Sequence, residues 1–147
     1  LAELAPEPFS PEFSREYFRE VLRGSRQPIK LLLLDQRKVL GLGNIYASEA
    51  LFRAGINPKT PAGKLSRERA ERLRQTSVEV LRSAIESNAG YNSDPEDISG
   101  SYTEGLAQDA ALVYGREGSP CFTCESLIKR IVQGSRSTFY CPTCQRR

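Results

Sequence analysis

The fold is decided by one stretch of the chain, Gly41-Leu42-Gly43-Asn44-Ile45-Tyr46-Ala47-Ser48-Glu49-Ala50-Leu51-Phe52. Gly41 and Gly43 permit a tight turn, because glycine adopts backbone angles closed to other residues. Apolar and small residues then recur at helical spacing, and the side-chain oxygen of Asn44 is placed to cap the helix N-terminus. Such a terminus carries unpaired N–H groups and a partial positive charge, which suit a phosphate. A helix hairpin without any ligand is the simpler interpretation of this stretch alone.

Helical patterns lie on both sides of this stretch. Ser10-Pro11-Glu12 combines an N-cap residue, a proline suited to the first helical position and an acid, so we expect a helix from there to about Arg23. Residues 31–34 are consecutively apolar, which fits a buried strand or a buried helix, and their leucines favour the helix. Gly55 is placed to end the central helix, and Ser66 to begin a long amphipathic one. The helices joined by the glycine turn are typical of a helix–turn–helix variant.

The pattern divides the chain into four parts. We expect a linker over residues 1–9, a helical domain over 10–90, a flexible loop over 91–113 and a small β-hairpin module over 114–147. The loop is inferred from its turn-forming residues and its length, and we expect a short strand at residues 111–114. The predicted fold class is therefore mainly α, with a small cysteine-containing β-hairpin after the helices.

The four cysteines form two C-x-x-C pairs, Cys121 with Cys124 and Cys141 with Cys144, with sixteen residues between the pairs. This spacing predicts that each pair directs two thiolates at one tetrahedral zinc ion. Four thiolates close the coordination shell, so the single zinc is expected to be structural. The alternative is two disulfides in a secreted module, but C-x-x-C pairs in an apparently intracellular chain favour a metal or redox role.

Basic residues are concentrated at the C-terminal end of a chain whose net charge is only +3. Residues 121–147 contain five basic residues and one acid. A small basic module beside a near-neutral domain is compatible with nucleic-acid binding. A solvated tail explains the same charges.

The ends and the hydropathy of the chain set its expected location. No apolar run approaches the roughly 20 residues that a membrane-spanning helix needs. The chain contains no Met and begins with Leu1, and its first residues lack the basic start of a signal peptide. We therefore expect the C-terminal piece of a longer intracellular, cytoplasmic protein without a membrane partner.

Three motifs follow one another along the chain. The first is Pro28-Ile29-Lys30 together with residues 41–58, the second Tyr114-Gly115-Arg116-Glu117-Gly118, and the third Arg136-Ser137-Thr138-Phe139-Tyr140-Cys141. Together they resemble the bacterial formamidopyrimidine-DNA glycosylases, whose helix–two-turn–helix motif corresponds to the first and whose zinc finger corresponds to the others. The resemblance implies a linker from a missing catalytic domain at 1–9, a helix–two-turn–helix DNA-binding bundle at 10–90, a lesion-capping type of loop at 91–113 and a four-cysteine zinc finger at 114–147.

The same resemblance implies the C-terminal DNA-binding half of a bifunctional DNA glycosylase and AP lyase. The family removes oxidised purines such as 8-oxoguanine and formamidopyrimidine in base excision repair, then nicks the abasic site by β,δ-elimination. Its catalytic proline and glutamate belong to an N-terminal domain that this sequence lacks, so the chain alone is expected to be inactive. The expected partners are damaged double-stranded DNA and the missing catalytic domain, in a protein that acts as a monomer.

The resemblance also implies roles for particular residues. Asn44 matches an asparagine that contacts a DNA phosphate, Lys30 matches a lysine near the damaged base, and Arg26 falls near a basic DNA-contacting position. Arg136 matches an arginine that grips phosphates beside the lesion and is described as the proton donor for δ-elimination. A guanidinium suits the phosphate role better, since its high pKa makes it a poor proton donor. Asn57 stands where many members have His, a difference we interpret as neutral.

Two other hypotheses stay open at this point. One is a free-standing, non-catalytic DNA-binding protein that uses the same clamp. The other is a metal-stapled module for protein interactions with no role on nucleic acid. A test of DNA binding separates the protein-interaction module from the two DNA-binding hypotheses. The residues that precede Leu1 separate the free-standing DNA-binding protein from the half of a glycosylase.

Overall fold

The structure is a computed structural model that describes residues 5–87 and 111–147. These residues hold four α-helices and one antiparallel β-hairpin. They are α1 (Arg15–Leu22), α2 (Ile29–Leu33), α3 (Asn44–Ala54), α4 (Arg67–Ser87), β1 (Lys129–Gln133) and β2 (Arg136–Tyr140), with a short 3-10 turn at Ala62–Lys64. The predicted class, mainly α with a small β-hairpin module, is confirmed. No helix in the described part of the chain is both long enough and apolar enough to cross a membrane.

Helix α1 begins later than the sequence predicted. Its N-cap is Ser14, whose hydroxyl accepts a hydrogen bond from the Tyr17 N–H at 3.1 Å. The Ser10 hydroxyl instead donates to the Glu7 carbonyl oxygen at 2.7 Å. The residues between the two serines form turns that place Phe13 in the core. Ser10 therefore belongs to a turn that precedes α1, and not to the helix N-terminus.

The two helices around the glycine stretch decide between helix and strand for residues 31–34 and correct the prediction for Asn44. Residues 31–34 belong to or directly follow α2, so the buried helix is correct and the strand is not. Helix α3 is capped by Gly43, and Asn44 is its first residue and makes no cap with its side chain. The predicted N-cap role of Asn44 is therefore wrong. The side chain makes hydrogen bonds to other parts of the molecule instead.

The other two helix boundaries near this region follow the sequence. Gly55 ends α3 in the left-handed conformation with φ 71°, which glycine adopts without strain. The Ser66 hydroxyl accepts a hydrogen bond from the Arg69 N–H at 3.1 Å, so it caps α4 as predicted. Helix α4 packs mainly against α3 and also against α1. Helix α3 is therefore held on one side by the longest helix of the chain.

Two hydrophobic clusters fill the interior of the described residues. The larger one joins all four helices through side chains such as Phe18, Leu32, Leu51 and Leu73. The smaller one lies in the β-hairpin module and contains Val113, Ile128 and Phe139. Phe52 of α3 belongs to this second cluster, so α3 contributes to both cores. The module is therefore packed against the helical domain through α3.

The hairpin pairs Lys129 with Tyr140 at one end and Gln133 with Arg136 at the other. Gly134 and Ser135 form its two-residue turn with φ 56° and 69°, as a tight hairpin turn requires. The strand predicted at residues 111–114 is not formed. The N–H groups of that segment are bound by a side chain of α3, so they do not pair with another strand. The flexible loop predicted at 91–113 otherwise lies outside the described residues.

Candidate metal centre and nucleic-acid interface

The two C-x-x-C pairs bring their sulfur atoms to one point. All four Sγ atoms lie within 4.8 Å of one another. The Cys121 and Cys144 sulfurs are 3.9 Å apart, and those of Cys124 and Cys141 are 3.4 Å apart. A tetrahedral zinc with Zn–S bonds of about 2.3 Å needs sulfur separations of about 3.8 Å. Disulfides are excluded, because all four cysteines are free. The set of donors and their separations fit a single structural zinc ion.

The backbone supports negative charge at these sulfurs. The Thr123 N–H donates to Cys121 Sγ at 3.4 Å, and the Cys144 N–H donates to Cys141 Sγ at 3.3 Å. Because one N–H in each knuckle points at a ligand sulfur, each turn is shaped for a thiolate. The knuckles are also joined at their tips by the Ser126 and Thr143 hydroxyls, 2.7 Å apart.

The thiols have different pKa values before a metal binds. Hydrogen bonds from Ser126 lower the pKa of Cys124 to about 6. Burial raises the pKa of both Cys141 and Cys144. Zinc binding requires all four as thiolates, so protons are released when the metal enters and its affinity falls in acid.

Lys30 lies at the junction of the helical domain and the zinc finger. Its side chain is fully buried, and its Nζ donates to Asn44 Oδ1 and, at 2.7 Å, to Thr138 Oγ1 of β2. Burial lowers the pKa of Lys30 to about 8, and the positive charge of Arg136 adds to this effect. A buried cation with no carboxylate among its hydrogen-bond partners is unusual, because burial favours the neutral form. An anion at this junction would stabilise the charged form of Lys30.

Asn44 connects α3 to the zinc finger. Its Nδ2 donates to the Ser137 carbonyl oxygen at 2.9 Å and lies 3.4 Å from the Tyr114 hydroxyl oxygen. Its Oδ1 accepts from Lys30. The amide is thus the centre of a hydrogen-bonded group that joins α2, α3 and β2.

Arg136 is exposed at the start of β2, and its side chain has no acidic partner among residues 5–87 and 111–147. The hairpin tip beside it packs against α2, since a Cβ added to Gly134 would lie 3.2 Å from Leu31 Cδ2. Arg136 is also close enough to Lys30 to lower its pKa. The structure therefore brings Lys30, Asn44 and Arg136 together at one junction.

Arg26 does not lie at the junction that holds Lys30, Asn44 and Arg136. It is exposed and lines a shallow surface depression with Gly63 and Lys64. In the described part of the chain, no hydrogen bond or ion pair joins Arg26 to the junction residues. Its DNA-contacting role stays a prediction that is separate from the junction.

One functional side chain, Glu49, was missed by the sequence reasoning. It is buried on α3, and its carboxylate accepts hydrogen bonds from the backbone N–H groups of Leu112 at 2.7 Å, Val113 at 2.9 Å and Tyr114 at 2.8 Å. These bonds fix the segment that leads into the zinc finger. The available signal was an acid between Ser48 and Ala50 on the apolar side of a predicted helix, since buried acids are retained only with partners.

Comparisons with protein families cover most of the chain. Residues 4–95 match the model described as the formamidopyrimidine-DNA glycosylase H2TH domain. Residues 118–147 match the zinc finger found in FPG and IleRS. The two matches correspond to the helical domain and to the module that holds the four cysteines.

Curated relatives named formamidopyrimidine-DNA glycosylase align along nearly the whole chain. One from Synechococcus sp. is 47% identical over 145 residues, which is 99% of this chain and 51% of the relative. One from Bacillus licheniformis is 43% identical over 147 residues, which is 100% of this chain and 53% of the relative. The chain therefore spans about half the length of the curated relatives it matches.

Solved structures of similar proteins agree with this. The MutM (Fpg) protein of Thermus thermophilus is 43% identical with a TM-score of 0.83, covering 99% of this chain and 55% of that one. The Lactococcus lactis Fpg in complex with DNA that contains an abasic site is 34% identical with a TM-score of 0.85, covering 99% and 52%. The second of these structures contains DNA, which is an anionic ligand of the kind that the junction cations would suit.

Proposed function

Because this chain belongs to the formamidopyrimidine-DNA glycosylase family, we propose that it is the DNA-binding half of a bifunctional DNA glycosylase and AP lyase. The whole protein removes oxidised purines, such as 8-oxoguanine and formamidopyrimidine, and cleaves the abasic site. Residues 10–90 form its helix–two-turn–helix domain and residues 114–147 its zinc finger, joined by a lesion-capping type of loop at 91–113. Residues 1–9 link them to a catalytic domain, and the protein works as a monomer in the bacterial cytoplasm.

One observation carries this proposal. The helical domain and the zinc finger each contribute a cation to the same junction, Lys30 and Arg136, and Asn44 bridges the two modules there. Like charges held together repel each other, so the junction is stabilised by an anion. The phosphates that flank an abasic or damaged nucleotide are such anions. Contacts to them add affinity without reading the base.

The residues at the junction divide the work of holding DNA. Asn44 and Lys30 hold one phosphate at the N-terminus of α3, where backbone N–H groups and the helix dipole favour negative charge. Arg136 clamps a neighbouring phosphate with its guanidinium. The damaged nucleotide between them is rotated out of the duplex into a pocket shared with the catalytic domain. We assign Arg136 to the phosphate and not to proton donation, since a guanidinium matches the geometry of a phosphate with two parallel N–H donors.

The four cysteines hold zinc, which gives the finger its stability and takes no part in the reaction. A closed shell of four thiolates leaves no position for water or substrate. The hairpin that the metal fixes presents Arg136 at its tip. Chemistry at the sugar is left to residues outside this chain.

Binding of an abasic-analogue duplex tests the proposal. Fluorescence anisotropy with the zinc-loaded chain should show binding that weakens steeply with salt. Each of Arg136→Ala and Asn44→Ala should weaken it by about tenfold, as expected for loss of one charged or polar phosphate contact. Arg67→Ala is the matched control, because Arg67 is an exposed arginine in the cleft between α1 and α4. An unaltered affinity in both junction variants, or no binding at low salt, would overturn the proposal.

A further inference from the structure

A second set of hydrogen bonds joins the two modules at the opposite end of α3. Gln145 follows the last cysteine and is fully buried. Its Oε1 accepts from the Cys141 N–H at 2.7 Å, and its Nε2 donates to the Ile56 carbonyl oxygen at 3.0 Å. The Gln145 carbonyl oxygen in turn accepts from Asn57 Nδ2 at 2.9 Å. We call this pair of residues, Asn57 and Gln145, the far lock.

The far lock consists of two buried side-chain amides that are both hydrogen-bonded. Asn57 is buried, and its Oδ1 accepts from the Lys59 N–H at 2.9 Å, so the side chain is held on both sides. Both amides of the pair sit between the end of α3 and the second zinc knuckle. Buried polar groups are kept where each one finds a partner, which is the case here. Asn57 therefore has a specific contact, although the sequence suggested a neutral difference.

The near end of α3 is held by different groups. There the bonds run from Asn44 to Ser137 and from Lys30 to Thr138. An α3 of 11 residues separates the two ends by about 16 Å, at about 1.5 Å per residue. Strand β2 spans a similar distance of about 17 Å from Arg136 to the zinc knuckle. Hydrogen bonds thus attach the finger to the helical domain both beside Arg136, where Gln133 Nε2 also donates to the Pro58 carbonyl oxygen at 3.2 Å, and beside the metal site. These bonds add to the contacts that Glu49 and Phe52 make from the middle of α3.

The near attachment conflicts with DNA binding. An asparagine amide has two N–H donors, and those of Asn44 face the Ser137 carbonyl at 2.9 Å and the Tyr114 hydroxyl at 3.4 Å. For the Asn44 amide to donate to a phosphate, as the proposed function requires, it must release one of them. The near attachment is then weakened at the moment of binding. The far lock uses no phosphate-binding group and stays intact.

We propose that Asn57 and Gln145 are positioning residues that keep the finger, and with it Arg136, in register on α3 while the near contacts are exchanged for phosphate. This role rests on the proposed function of the junction. With a lever of about 17 Å, a rotation of the finger by about 10° about the metal site would move Arg136 by about 3 Å. Such a displacement exceeds the tolerance of a hydrogen bond.

Three variants test the far lock. Asn57→Asp keeps the size and the acceptor of the side chain but removes the donor that faces Gln145. Asn57→His retains an N–H donor and is the conservative rescue. Arg147→Ala removes one positive charge from an exposed position in the same finger, so it matches the charge change of Asn57→Asp. Each variant must first be shown to hold about one zinc per chain, as a single tetrathiolate site requires.

The first measurement needs no DNA. In the zinc-loaded chain, amide hydrogen exchange at residues 129–140 should become about tenfold faster in Asn57→Asp, with exchange in α4 unchanged. Asn57→His and Arg147→Ala should leave both regions as in the native chain. If amide hydrogen exchange in the hairpin is as slow in Asn57→Asp as in the native chain, the far lock does not hold the finger.

The second measurement is a double-mutant cycle on the abasic-analogue duplex. Arg136→Ala should weaken binding about tenfold in the native background but less than about threefold together with Asn57→Asp, because the guanidinium is already displaced. A lock that is merely structural predicts an equal loss of affinity in both backgrounds. That result would therefore overturn the positioning role. If the native chain does not bind the duplex at all, the proposed function fails, and hydrogen exchange alone then decides whether the lock exists.

Discussion

Among the single residues, Lys30 is a buried cation without a carboxylate partner in the described part of the chain. Its ammonium is enclosed by Asn44 and Thr138 without a carboxylate, and its pKa is lowered to about 8 by burial and by Arg136. The ammonium can donate three hydrogen bonds, and two are used within the protein. The third donor and the positive charge have no partner among the described residues, as the proposed phosphate contact requires.

This environment predicts a pH-dependent affinity for DNA. A bound phosphate favours the charged form of Lys30, so its pKa is higher in the complex than in the free chain, where it is about 8. Binding therefore takes up a proton above that pH. Affinity should be constant below about pH 7 and fall as pH rises through 8, by at most about tenfold per pH unit for one proton.

Anisotropy titrations between about pH 6.5 and about 9 at constant ionic strength would measure this. Lys30→Met removes the titrating group and should bind more weakly with a flat pH profile. A native profile that is equally flat would show that the phosphate does not reach Lys30.

Among the helices and strands, α3 organises the molecule along its whole length. Asn44 at its start and Ile56 just beyond its end bond to the zinc finger, and Glu49 in its middle holds residues 112–114. Phe52 adds an apolar contact to the core of the finger. Helix α3 thus holds the two modules together through hydrogen bonds and apolar contacts, and no β-sheet is shared between them in the described residues.

The hydrogen bonds of Glu49 predict that one isosteric substitution lowers the free energy of unfolding strongly. Glu49→Gln exchanges a carboxylate that accepts three backbone hydrogen bonds for an amide whose NH2 faces N–H groups. The zinc-loaded chain should lose about 2–3 kcal/mol of unfolding free energy, the usual cost of breaking buried hydrogen bonds to a charged group. Urea unfolding followed by circular dichroism would measure this. Glu68 is exposed on α4, so Glu68→Gln should change the free energy of unfolding by less than about 0.5 kcal/mol. Equal stabilities of the two variants would contradict the role of Glu49.

In the molecule as a whole, two hydrophobic cores of unequal size share α3. The helical core contains the largest buried side chains, including Phe13, Phe18 and Leu73. The core of the finger is small and includes two of the zinc ligands, Cys121 and Cys141. A core of that size does not stabilise a hairpin in water without further support. We therefore expect the finger to need its metal for stability and the helical domain to stay folded without it.

Metal removal should separate the two modules. On treatment with a strong chelator, the helical signal in circular dichroism should remain largely unchanged, while hydrogen-exchange protection at residues 129–140 and binding to the abasic-analogue duplex are lost. Returning one equivalent of zinc should restore both. Elemental analysis of the native chain should give about one zinc per chain. A hairpin that stays protected without metal would refute the structural role of zinc.

Features whose causes lie within a few residues could be predicted from the chain alone. The period of apolar positions predicted the helices, Gly55 and Ser66 predicted two helix ends, and the cysteine spacing predicted the zinc site. Motif order also predicted the family. Each of these is a local pattern, or a set of them in fixed order, so it is readable along the chain.

The partner of each polar side chain, by contrast, was settled only by the folded arrangement. Lys30 and Thr138 are separated by 108 positions, Asn57 and Gln145 by 88, and Glu49 and Leu112 by 63. The sequence predicted Asn44 as a cap and Asn57 as neutral because the groups they bond lie in the distant finger. The energy of a buried hydrogen bond depends on where the chain returns, and that is set by the packing of the whole fold.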